Sequence, residues 1–124
     1  MTYARTGLLG AAVALAVGFA SYADAHAVLK AAGPAPGSVV NASPKALRIQ
    51  FNEAIELGFS GVDITNEKGE KQLTGAASTN PTDKAQLIVP LTGTLAPGKY
   101  TVVWHAVGDD THRTEGRYNF EVKP

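Results

Sequence analysis

Lys99-Tyr100-Thr101-Val102-Val103-Trp104-His105-Ala106-Val107 and Arg117-Tyr118-Asn119-Phe120-Glu121-Val122 read as two β-strands joined by the loop Gly108 to Gly116. Tyr118, Phe120 and Val122 alternate with Asn119 and Glu121, so one face of that strand is buried and the other is wet. Trp104 falls in step with Tyr100 and Val102, which places its ring in the core between two sheets. The same two-residue period recurs upstream. Leu47, Ile49 and Phe51 alternate with Arg48 and Gln50, Val62 and Ile64 mark Gly61 to Thr65, and Leu87, Val89 and Leu91 mark Gln86 to Leu91. His26 to Ala32 reads as a first strand, stopped by Gly33-Pro34-Ala35-Pro36-Gly37. Asn41 to Pro44 and Leu95-Ala96-Pro97-Gly98 are turns, and Asn66-Glu67-Lys68-Gly69-Glu70 predicts a hairpin. The polar stretch Ala76 to Lys84 reads as a loop. No segment after the leader shows helical periodicity. About seven short strands separated by turns predict an all-β Greek-key sandwich, immunoglobulin-like or cupredoxin-like.

The chain has 124 residues, too few for more than one full-sized domain. Its first residues have the organisation of an export signal. Arg5 precedes the uncharged run Gly7 to Ala20, which is shorter than the roughly 20 apolar residues that span a bilayer. Ala23-Asp24-Ala25 then supplies small residues at both positions of an A-x-A cleavage site. Two regions are therefore expected: a signal peptide over 1–25 and an exported sandwich domain over 26–124. The competing reading is a retained membrane anchor. Cleavage removes Arg5 and Asp24 together, so the processed chain keeps the zero net charge of the precursor. That balance offers no footprint for nucleic acid or an anionic membrane surface. Cysteine is absent, so the core alone must hold the fold. The single methionine is Met1, which leaves no sulfur ligand after processing.

Three histidines remain: His26, His105 and His112. Cleavage after Ala25 would make His26 the first residue, offering a metal two nitrogens, the α-amine and ring Nδ1. In mid-chain that backbone nitrogen is a planar amide and cannot serve in this way. Asp110-Thr111-His112 supplies a carboxylate and an imidazole two residues apart, on one side of a locally extended backbone. Together these form an N₃O set without sulfur, which favours Cu(II) over Zn(II). Taken alone, Asp110 reads equally well as a turn cap and His112 as a solvated loop residue. The coincidence of the cleavage point with the D-x-H loop is the more specific signal. His105 is out of step with Trp104 and is expected to face away from the core; a supplementary copper-ligand role is the alternative.

The sequence resembles the CopC-type periplasmic copper-resistance proteins, small copper-carrying β-sandwiches. The resemblance rests on His26-Ala27-Val28-Leu29, Pro34-Ala35-Pro36-Gly37-Ser38, Leu47 to Glu53, Gly98 to Trp104 and Asp110-Thr111-His112, in that order. It implies His26, Asp110 and His112 as ligands of one Cu(II) per processed chain. It also implies an acidic residue near the site, which falls on Glu53 as an outer or weak axial group; an ordinary exposed carboxylate is the alternative. An inner-membrane transporter of the CopD type is the implied partner. Two features depart from the family. The methionine-rich Cu(I) segment of some members is missing, which points to a Cu(II)-only protein. Thr111 also stands where a glycine is common, and because a β-branched residue disfavours positive φ, the local turn is expected to differ.

The leading expectation is a monomeric, non-enzymatic module for copper sequestration, resistance and delivery. A copper-dependent oxidative enzyme of the N-terminal-histidine type is the second reading. Against it, the chain is short, shows no flat aromatic face for a glycan, and places Asp110 where oxygen would bind. A metal-free immunoglobulin-like interaction module is the third, supported only by the generic sandwich pattern.

Overall fold

A computed structural model describes residues 27–124. The leader, the cleavage after Ala25 and His26 itself lie outside the described residues. Eight strands follow in order: β1 (Leu29–Gly33), β2 (Val39–Val40), β3 (Ala46–Phe51), β4 (Gly61–Asn66), β5 (Ser78–Asn80), β6 (Asp83–Pro90), β7 (Gly98–Val107) and β8 (Arg113–Val122), with a 3₁₀ turn at Leu57–Phe59. They form two four-stranded sheets, ordered β1-β3-β6-β5 and β2-β8-β7-β4. Within these sheets β2 runs parallel to β8, and the other neighbours are antiparallel. The expected all-β sandwich is what forms.

The alternation seen in the sequence is the reason the sheets stack. Leu47, Ile49, Phe51, Leu87 and Val89 point inward from one sheet, and Ile64, Tyr100, Val102, Trp104, Ala106, Tyr118, Phe120 and Val122 from the other; all are buried. Each such large apolar side chain contributes about 1.5–3 kcal/mol of transfer free energy. Phe51 and Trp104 lock the layers together edge to face, with ring centroids 5.3 Å apart at 68°. Tyr100 stacks on Phe120 at 5.7 Å, and its hydroxyl donates to the Ala96 carbonyl at 2.6 Å, tying the turn before β7 to the strand.

Four local expectations need correction. Ala76 to Lys84 is no loop, since β5 and the start of β6 form a hairpin there. Backbone pairing carries this hairpin without an apolar period, and Asn80 Oδ1 closes its turn by accepting from the Thr82 amide at 3.0 Å. The last strand begins at Arg113, not Arg117: Arg113 to Gly116 pair with Val107 to Trp104 of β7 without apolar alternation to mark them. Eight strands form where about seven were expected, and one of them, β2, is too short at two residues to carry a periodicity. The first strand runs from Leu29 to Gly33, with an irregular register between Leu29 and Ala31. The Asn66–Glu70 turn forms as expected, with Gly69 at φ 81° and an isolated bridge between Thr65 and Lys71.

The Tyr118 hydroxyl is buried without a hydrogen-bond partner. Burial pushes its pKa up to about 12. A folded-state value above the ordinary 10 means that stability is fully present below pH 10 and is lost as pH rises through about 12. Tyr118→Phe removes the orphaned hydroxyl while keeping the ring. It should raise neutral-pH stability by about 1 kcal/mol and remove the part of the alkaline destabilisation that Tyr118 causes. Urea unfolding at neutral pH and above pH 10 measures both effects. A variant less stable than the parent would show that the hydroxyl is satisfied.

Candidate metal centre

Three segments meet at one end of the sandwich. The first is Ala27-Val28, before β1. Ala27 is buried, and its carbonyl accepts from the Thr114 hydroxyl at 2.8 Å. The second is Asn52 to Glu56, after β3. Asn52 and Val28 bind reciprocally, with the Val28 amide donating to Asn52 Oδ1 at 2.7 Å and the Asn52 amide to the Val28 carbonyl at 3.0 Å. The third is the loop Gly108 to His112 between β7 and β8. Gly108 bridges to Ile55, and the Glu56 amide donates to the Val107 carbonyl at 2.8 Å.

Within this loop Asp110 and His112 are brought together. Asp110 Oδ1 accepts from the His112 amide at 3.1 Å, and Oδ2 lies 3.2 Å from His112 Nδ1. An ionised carboxylate can only accept, so Nδ1 carries the proton and Nε2 carries the lone pair that a metal would take. A metal on Nε2 would lie on the far side of the ring from Asp110, so the carboxylate can hold Nδ1 or join that ion, but not both at once. The pair is accessible: the Asp110 side chain is 26% exposed and that of His112 66%.

The backbone reason for this pairing differs from the expected one. Thr111 is not extended. Its φ is 67°, and its amide donates to the Gly108 carbonyl at 3.0 Å, forming a tight turn. Thr111 thus adopts the left-handed conformation that its β-branch was expected to resist, at a cost of about 1–2 kcal/mol. The carboxylate meets the imidazole by folding back over this turn.

Glu53 and His105 stand apart from the pair, and among the described residues no group of three or more His, Asp or Glu side chains is gathered to hold a metal. The Glu53 carboxylate lies over Gly108 with Oε1 buried and without a hydrogen-bond partner. It is therefore not the ordinary exposed carboxylate weighed as one reading. His105 faces away from Trp104, as its strand position predicts, and packs over Gly61, whose absent side chain would sit 3.3 Å from the ring. His26 is outside the described residues, but its covalent neighbour Ala27 is fixed at this end of the molecule.

Asn52, Gly108 and Thr114 were not legible as site residues. Each acts through a contact distant in sequence, and none belongs to a residue type that chemistry would single out. A further feature borders the loop. Phe59 is 68% exposed and forms an open cleft with Glu56, Val107 and Thr111.

The family model described as the CopC domain matches residues 29–123. Protein YobA of Escherichia coli K12 is 48% identical over 99 residues, covering 80% of each chain. The crystal structure of CopC from Methylosinus trichosporium OB3b superposes with a TM-score of 0.74 at 30% identity, over 80% of this chain and 95% of that one. PcoC, a methionine-rich copper resistance protein from Escherichia coli, superposes at 0.70 with 31% identity, over 80% of this chain and all of that one. In composition the present chain differs from PcoC, having Met1 as its only methionine. A sandwich of this topology, matched along nearly all its described length, places the chain in the CopC family, which includes copper resistance proteins.

Proposed function

We propose that the processed protein binds one Cu(II) and carries it in the periplasm for copper resistance and delivery. The ligands are the α-amine and Nδ1 of His26, a carboxylate oxygen of Asp110 and Nε2 of His112. The observation that carries this reading is the Asp110–His112 pair, oriented at the end of the sandwich where Thr114 and Asn52 tie down Ala27 and Val28. The donors are nitrogen and oxygen without sulfur, which suits a tetragonal Cu(II) ion. Four strong donors in a plane leave no equatorial place for a substrate, so the arrangement favours holding over turnover. Without the ion the Asp110 carboxylate holds the His112 ring through Nδ1, and it leaves that contact to join the ion when copper binds. Release to an inner-membrane transporter of the CopD type completes the reading.

The test is a Cu(II) titration of the chain beginning at His26, followed by electron paramagnetic resonance and intact mass spectrometry. One equivalent should bind with a nitrogen-rich tetragonal signal, and affinity should fall as pH drops, because the amine and both imidazoles must shed protons. His112→Ala should weaken binding at least about 100-fold, and Asp110→Asn by about 10–100-fold, with folding unchanged. Unaltered affinity in His112→Ala would remove the basis of the proposal.

A further inference from the structure

We infer that Gly108 is a positioning residue of the metal site, and that the space left by its missing side chain seats the Glu53 carboxylate against the amino-terminal segment. This inference rests on the copper site proposed above. Among the described residues the glycines with positive φ are Gly37, Gly69 and Gly98, so Gly108 is not required for its backbone conformation. Space is the other reason for a glycine. A methyl group at Gly108 would lie 2.9 Å from the Glu53 carboxyl carbon, with Oε1 closer still, and 3.4 Å from the Ala27 methyl. Real side chains essentially never approach that closely, so the carboxylate and a residue-108 side chain are mutually exclusive.

The carboxylate is the end of a flexible side chain, so a methyl group at residue 108 would turn it out of this seat while the backbone beneath stays in place. Its backbone follows Asn52, which is locked to Val28 through two hydrogen bonds, and Ile55 on the other side bridges to Gly108 itself. Glu53 Oε1 is nevertheless buried without a donor. An acceptor desolvated in this way destabilises the fold unless some group donates to it, and more so when it is charged. The same point in space adjoins Ala27, next to the residue that supplies the amine ligand. A hydrogen on the copper complex, from the bound amine or a bound water, would satisfy Oε1 and increase the donor strength of its ligand. Gly108 thus acts through Glu53 and never touches the metal.

The experiment compares the parent, Gly108→Ala, Glu53→Gln and the double variant, all beginning at His26, with His112→Ala as reference. Cu(II) affinity, the electron paramagnetic resonance spectrum and the melting temperature of the metal-free protein are read together. Gly108→Ala should shift the copper spectrum and weaken binding about 10–100-fold. Glu53→Gln, which keeps the volume and loses the charge, should do likewise. The double variant should be little worse than either, because both changes break one device. Parent-like spectrum and affinity in Gly108→Ala, with binding lost in His112→Ala, would overturn the seat and leave the copper site standing. Should Gly108→Ala fail to fold, Glu53→Gln decides alone, and parent-like behaviour there overturns the inference. If His112→Ala binds normally, the failure belongs to the proposed function instead.

Discussion

A chain carrying one extra residue before His26 is expected to bind Cu(II) at least about 10³-fold more weakly than the processed chain, a loss of about 4 kcal/mol. The extension turns the α-amine into an amide, removing one donor and opening the chelate ring that Nδ1 shares with it. What remains is a set of separate imidazoles and a carboxylate, each paying its own entropy to be ordered at the ion. The β-sandwich is indifferent to the change, since Ala27 is still held by Thr114 and Val28 by Asn52. The extended protein should therefore melt like the parent without metal and lose only the stabilisation that copper confers. Competition against a chromophoric chelator measures the affinity, and calorimetry the melting. Equal affinity with and without the extension would mean that the ion is held some other way.

Gly116→Ala is expected to be the most damaging small substitution in the sandwich, costing about 3 kcal/mol. A methyl group there would stand 2.7 Å from Trp104 Cζ2 and 2.9 Å from Cε2. The indole cannot simply tilt away, because Phe51 of the opposite sheet meets it edge to face. For a domain of this size the melting temperature should fall by about 12–24 °C. Trp104→Phe in the same background removes the ring that clashes, so the double variant should recover part of the loss. Below its melting temperature Gly116→Ala should still bind one Cu(II), since it lies outside the ligand loop. A melting point within two or three degrees of the parent would show that the indole has room to move.

Much of this core was legible because burial imposes a simple rule on strands. Wherever Leu47, Ile49 and Phe51 or Tyr118, Phe120 and Val122 alternate with polar neighbours, the period alone identifies the strand and its inner face. Backbone pairing without a buried face leaves no such mark, which is why Ser78–Asn80 and the start of β8 escaped detection. At the candidate site the spacing of Asp110 and His112 correctly implied that they meet. The cause differs: a left-handed Thr111 folds the loop back, where an extended backbone was expected. The Glu53–Gly108 contact joins two loops far apart in the chain, and local pattern says nothing about such a meeting.

The sheet margins carry a consequence for the behaviour of the protein in solution. Unpaired strand edges invite neighbouring chains to add on, and this chain has no disulfide to resist the resulting fibres. One margin, β2, is only two residues long. β1 and β5 each carry a register irregularity that interrupts a flat template. β4, the longest margin, is partly capped by its own chain, where the Gln72 amide donates to the Ile64 carbonyl at 2.8 Å. Each margin thus carries a feature that discourages docking by strand addition. Contact with other macromolecules is left to side chains, such as the exposed Phe59 beside the loop Gly108 to His112 and the exposed Leu73.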